Sequence, residues 1–157
     1  MKKKLFALIA VSALLLTGCG DKKVSASADN LPTVTTNQGK APTIGAPSGT
    51  PPSTLVTKDI IVGTGAEALP TSTMTVHYTL MTWSNGKLIE SSWTSGSPAT
   101  FPLANVIVGW QQGIPGMKVG GRRLLVIPPD LGYGAQGGGP IGPNETLIFV
   151  VDAIGVA

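Results

Sequence analysis

An α+β fold, an antiparallel sheet whose concave face packs on one short helix, is predicted for residues 54–157 of this 157-residue chain. Two observations carry the prediction. Thr73–Thr82 alternates well, with Met74, Val76, Tyr78 and Leu80 on one face and Thr73, Thr75, His77 and Thr79 on the other. Residues 106–114 form the single helix, with Ile107, Trp110 and Ile114 at helical spacing.

The elements follow in order. Residues 55–62 form a first strand, ended by Gly63-Thr64-Gly65. After the alternating strand, Ser84-Asn85-Gly86 makes a hairpin turn, and residues 87–92 return as its partner. Ser95-Gly96-Ser97-Pro98 is a loop, and residues 100–103 are a short extended piece. Asn105 is placed to cap the helix, and Pro115-Gly116 stops it. Arg122–Ile127, rich in Leu, Val and Ile, is a strand. Residues 128–144 are a long Gly/Pro loop, and residues 146–153 are a last strand apolar enough to be central.

Composition removes several functions. The formal charge of +3 comes from Lys2, Lys3 and Lys4; the rest of the chain carries 8 basic and 8 acidic residues. No basic stripe is left to follow a phosphate backbone, so no nucleic-acid partner is expected. One Cys excludes a disulfide within the chain, and one Cys with one His cannot make an ordinary structural zinc site. Gly132 to Gly142 is glycine-rich but lacks the Lys and Ser/Thr of a phosphate loop. No serine has a Gly-x-Ser-x-Gly context. No metal and no cofactor are expected.

The N-terminus reads as a leader and a tether. Residues 1–18 have the parts of a secretory signal peptide: three lysines, then an apolar run from Leu5 to Leu16. At about 1.5 Å per residue, that run is too short for a ~30 Å hydrocarbon core. Leu16-Thr17-Gly18-Cys19 resembles the lipobox of bacterial lipoproteins. That resemblance implies a lipidated, palmitate-bearing Cys19 as the mature N-terminus, anchored in a bacterial cell membrane and facing its extracytoplasmic side. Residues 19–53 carry five prolines, four glycines and few aliphatics. They read as a flexible tether outside the fold, so a chain starting near Thr54 is expected to fold alone.

Eight stretches of the folded part come in a telling order. They are Val76-His77-Tyr78-Thr79, Asn85-Gly86-Lys87, Glu90-Ser91-Ser92, Val106-Ile107-Val108-Gly109-Trp110, Gly116-Met117-Lys118-Val119-Gly120, Ile127-Pro128-Pro129-Asp130, Gly132-Tyr133-Gly134 and Thr146-Leu147-Ile148-Phe149. Together they resemble the FKBP-type peptidyl-prolyl cis-trans isomerases, the macrolide-binding immunophilins. The resemblance implies a half-barrel antiparallel sheet wrapped around one short helix, over residues 54–157. It implies an enzyme, a rotamase assisting the folding of extracytoplasmic proteins, acting as a monomer on proline-containing polypeptides and open to macrolide inhibitors.

It also implies a site. Trp110 is the floor of an aromatic pocket, with Tyr78, Phe101 and Phe149 as walls. Val106 and Ile107 supply an aliphatic wall and a backbone donor; Tyr133 hydrogen-bonds a substrate carbonyl; Ile141 lies in a loop over the pocket. Glu90 and its neighbour Ile89 complete the implied pocket; Glu90 stands where the family usually has Asp, Ile89 and Ala99 where it commonly has Phe, and the loop at 134–144 is one residue short. These departures keep a second reading open: the pocket grips proline segments as a chaperone, or belongs to a surface lipoprotein, with little turnover.

Overall fold

The structure, a computed structural model, describes residues 30–157. The expected signal peptide and Cys19 lie outside the described residues. In the described residues, β1 (Val56–Ile61), β2 (Thr73–Thr82), β3 (Leu88–Ser91), β4 (Ala99–Pro102), β5 (Arg122–Ile127) and β6 (Leu147–Val156) form one antiparallel sheet. Its order is β1-β5-β6-β2-β3, with β4 also on β2. The expected α+β architecture is therefore observed. Residues 146–153 were expected to be central because they are apolar, and β6 does lie between β5 and β2. It runs on to Val156 because its last residues pair with Met74 and Thr75.

The sheet has two covered faces. On one, Met74, Val76, Leu80, Leu125, Ile127, Phe149 and Val151 pack with Trp110 and Ile114 of the helical segment. On the other, Met81, Trp83, Leu124, Val126, Ile148 and Val150 form a second cluster. Successive residues of a strand point to opposite faces, so β5 and β6 feed both clusters. Helix α2 (Val108–Gly113) docks against β5 through two glycines one turn apart. A Cβ at Gly109 would run into the Ile127 side chain, and one at Gly113 would stand 2.6 Å from Leu125 Cδ2. That notch seats the helix low enough for Trp110 and Ile114 to reach the core.

Three local expectations need correction. The helix is shorter than 106–114, and its N-cap is Ile107, which makes no side-chain capping bond. Asn105 does not cap it; it belongs to a preceding 3-10 turn, Leu103–Asn105. Nor is α2 the single helix, because one α-helical turn, α1 (Ser92–Ser95), follows β3 where a strand end and loop were expected. The expected hairpin at 84–86 forms, with Thr82 N–H bonded to Lys87 O at 3.0 Å and the positive φ on Gly86.

The larger correction concerns the tether. Its described part, residues 30–53, is docked on the second face of the sheet. Leu31, Val34 and Ile44 pack against the Met81–Trp83 cluster, and Val34 pairs with Ile44 in an isolated bridge. Trp83 Nε1–H donates to Gly49 O at 3.2 Å, and Gln38 Nε2 donates to Gly120 O at 2.8 Å. Arg122 is wholly buried beneath it. Its guanidinium bonds Asp152 Oδ1 (2.7 Å), Thr35 O (2.8 Å), Asn37 Oδ1 (2.9 Å) and Lys40 O (2.7 Å). Few aliphatics suffice here because the strap need not build a core; it covers one that the sheet already provides.

Candidate functional site

A cleft of about 270 Å³ opens between α2 and the sheet. It is lined by Tyr78, Leu80, Glu90, Phe101, Asn105, Val106, Ile107, Trp110, Tyr133 and Phe149. Each side chain arrives by a local rule. Tyr78 and Leu80 are two apart on β2 and share a face. Phe101 comes from β4 and Phe149 from β6, both on the helix side of the sheet. Trp110 is in the first turn of α2, facing the sheet.

The indole of Trp110 is 4% exposed and forms the floor. Tyr78, Phe101 and Phe149 stand around it at centroid distances of 5.9, 5.9 and 5.3 Å, with interplanar angles of 83°, 88° and 83°. Such edge-to-face packing is favoured by the ring quadrupoles and holds the walls upright on the floor. Trp110 Nε1 is buried and has no hydrogen-bond partner among the described residues. The Ile107 N–H, at the helix start, also makes no bond within the described residues. At the rim, Tyr133 is 41% exposed.

The polar pair of the cleft is Tyr78 and Glu90. The Tyr78 hydroxyl donates to Glu90 Oε1 at 2.5 Å. Burial, then the Glu90 carboxylate, pushes the phenol well above its ordinary pKa. Tyr78 therefore stays a neutral donor at physiological pH and serves as a tethered wall. Among the described residues no group of three or more His, Cys, Asp or Glu side chains comes together to hold a metal ion.

Of the ten pocket residues expected from the sequence, eight line the cleft. Ile89 and Ile141 do not. Ile89 sits next to Glu90 and packs half-buried on the core, and Ile141 is 6% exposed within it. Ile141 is drawn inward because Gly138 and Ile141 exchange two backbone bonds of 2.9 Å, folding the loop tip. Leu80 and Asn105 line the cleft and were missed. The period-2 alternation that placed Tyr78 also placed Leu80, so that signal was available. His77, read as pointing away from the Tyr78 face, stacks on Trp93 on the far side of the sheet, with centroids 3.9 Å apart.

Residues 65–154 match the family described as FKBP-type peptidyl-prolyl cis-trans isomerase. The chain is 50% identical over 113 residues to a probable FK506-binding protein of Corynebacterium glutamicum, across 72% of this chain and 96% of that protein. It is 44% identical over 106 residues to the outer membrane protein MIP of Legionella longbeachae, across 67% of this chain and 45% of that protein. The crystal structure of FkpA from Escherichia coli superposes with a TM-score of 0.62 at 39% identity, covering 65% of this chain and 47% of that one. The chain thus spans about half the length of the last two.

Proposed function

The chain belongs to the FKBP-type peptidyl-prolyl cis-trans isomerase family and is an isomerase of that type; from this premise we propose how its cleft works and where it acts. The observation that carries the mechanism is the Trp110 floor ringed by three aromatic walls. Prolyl isomerisation has a barrier of about 18–20 kcal/mol because the twisted amide loses its resonance. The twisted carbonyl is less polar than the planar one. A dry aromatic cleft therefore favours the transition state over the ground state, which water solvates well.

In this reading the proline ring rests on Trp110, and Tyr78, Phe101 and Phe149 exclude water. The Ile107 N–H, without a partner among the described residues, and the Tyr133 hydroxyl hold the substrate carbonyls on either side of the turning bond and fix its axis. No proton moves and no bond is broken. The same cleft is the place for macrolide inhibitors of the kind named in the C. glutamicum relative. Tyr133→Phe tests the rim contact. A neutral hydrogen bond contributes about 0.5–1.5 kcal/mol, so kcat/KM on a prolyl peptide is expected to fall by at most about tenfold. Tm should stay unchanged, because the residue is 41% exposed. A larger loss, or a shifted Tm, contradicts that role.

The client polypeptides are extracytoplasmic in this proposal, and the enzyme is a monomer held at the membrane. The signal-like residues 1–18 and the Leu16-Thr17-Gly18-Cys19 lipobox support the membrane anchor, with Cys19 carrying palmitate-type acyl chains. So does the name of the L. longbeachae relative. Because residues 30–53 are docked, only residues 20–29 separate Cys19 from the body of the protein. Ten residues span at most about 36 Å, so the cleft would work close to the lipid surface. Cys19→Ala is expected to move the protein from the detergent phase to the aqueous phase, or leave it unprocessed. A wild-type chain expressed in bacteria that already partitions into the aqueous phase overturns the anchor.

A further inference from the structure

We infer that Ser92 is a positioning residue for the isomerase: its hydroxyl plugs a gap in the edge of β2 and so sets the pose of the Tyr78 wall. The inference rests on reading Tyr78 as a wall of the cleft. The free edge of β2 is shared between two short strands. Leu80 and Thr79 face Glu90 and Ser91 of β3, whereas Val76 and Thr75 face Ala99 and Thr100 of β4. Between them the chain leaves the edge as α1. His77 and Tyr78 thus have no ladder partner on that side. In an antiparallel ladder the N–H and C=O of one residue point the same way, so a gap strands both groups of that residue. A buried N–H without a partner is costly and leaves the strand free to tilt.

Ser92, the first residue of α1 and 8% exposed, fills that gap. The Tyr78 N–H donates to Ser92 Oγ at 2.9 Å, and Ser92 Oγ in turn lies 3.4 Å from Tyr78 O. One hydroxyl thereby serves both backbone groups of Tyr78. The same oxygen lies 2.9 Å from His77 Nδ1, and the neighbouring Trp93 stacks on the His77 ring at an interplanar angle of 16°. So α1 grips two consecutive residues of β2 from the side away from the cleft. Within the cleft, Glu90 of the same segment holds the Tyr78 hydroxyl. Tyr78 is fixed at both ends, by Ser92 at its backbone and by Glu90 at its tip. Misplacing a wall by even about 1 Å can be expensive for an enzyme that works by shape and exclusion of water.

The test is kcat/KM on a short prolyl peptide, with Tm measured in parallel. Ser92→Ala is expected to lower kcat/KM by about three- to tenfold, the size of one lost hydrogen bond. Thr75→Val, which breaks the Thr75–Thr100 hydroxyl pair on the same strand but outside the cleft, should stay within about twofold. In a double-mutant cycle, Ser92→Ala and Tyr78→Phe should be non-additive in kcat/KM, since both loosen one ring. Should Ser92→Ala fail to fold, Ser92→Cys, of similar shape with a weak donor, carries the same comparison. Wild-type kcat/KM in a Ser92 variant with a lowered Tm overturns the inference and leaves a purely structural serine. An equal loss in Thr75→Val, or simple additivity with Tyr78→Phe, overturns it too. If Tyr78→Phe and Tyr78→Ala both keep full activity with the fold intact, the cleft reading itself fails.

Discussion

Trp110→Ala is expected to abolish measurable prolyl isomerisation and to strip the protein of much of its stability. The indole is 4% exposed and touches all three aromatic walls, so its loss opens a cavity at the junction of helix and sheet. Large aromatic truncations in a core cost about 3–5 kcal/mol, a large share of the 5–15 kcal/mol that holds a typical domain together. The walls then lose the surface they stand on, and water enters the place where the amide must twist. Trp110→Phe separates the two effects. It keeps an apolar ring and should recover most of the lost Tm, while the smaller floor leaves kcat/KM well below wild type. Denaturant unfolding beside the peptide assay checks both; a stable, fully active Trp110→Ala contradicts the site.

Cutting the strap is expected to be nearly as damaging. A chain beginning at Thr54 loses Leu31, Val34 and Ile44 from the Met81–Trp83 cluster and leaves the Arg122 guanidinium without Thr35 O, Asn37 Oδ1 and Lys40 O. Arg122→Ala probes the same latch with the chain intact. Removing one partner of a buried ion pair costs about 3–5 kcal/mol. What remains is Asp152, whose Oδ2 already lacks a partner among the described residues. Burial pushes its carboxyl above the usual range even with Arg122 pulling it down. Without Arg122 it moves further up. A carboxyl whose folded pKa is raised binds a proton more readily in the folded state than in the unfolded one. Stability contributed by that proton is present below the unfolded pKa and lost as pH rises through the folded pKa. The deficit of Arg122→Ala relative to wild type should therefore be smaller at acid pH and grow towards neutrality. A deficit independent of pH would show that Asp152 does not carry it, and an undiminished Tm in the chain from Thr54 would show that the strap is dispensable.

What could be read from the sequence is what local chemistry decides. The bounds of β2 followed from the alternation that opens it, and those of β5 from an unbroken Leu/Val/Ile run that both faces of the sheet bury. The aromatic cleft was legible through ordered motifs, since Tyr78, Trp110 and Phe149 each sit in a recognisable stretch, with Phe101 placed by the resemblance those stretches carry. Residues 30–53 were not legible. Their three half-buried aliphatics mean little until a sheet face is present to receive them. Arg122 counts as a surface cation in any charge inventory and is instead the buried clasp of the strap. Helix α1 has no helical pattern in Ser-Trp-Thr-Ser; it exists because Ser92 and Trp93 find Tyr78 and His77 across the edge of β2. Ile89 was expected in the pocket because it stands beside Glu90, and Ile141 because its loop lies over the cleft; both instead pack into the core cluster behind the cleft lining.

Whether the cleft works by excluding water or by moving a proton is decided most directly at Glu90, the carboxylate among the residues lining it. The measurement is kcat/KM of Glu90→Gln on a prolyl peptide, with Tm and circular dichroism to establish that the fold is intact. Gln keeps the size of the side chain and an acceptor oxygen for the Tyr78 hydroxyl but cannot exchange a proton. A wall-holding Glu90 predicts a loss within about tenfold, the range of one weakened charge-assisted hydrogen bond. Complete loss of activity in a folded Glu90→Gln protein would contradict the mechanism and require general acid–base chemistry at this carboxylate.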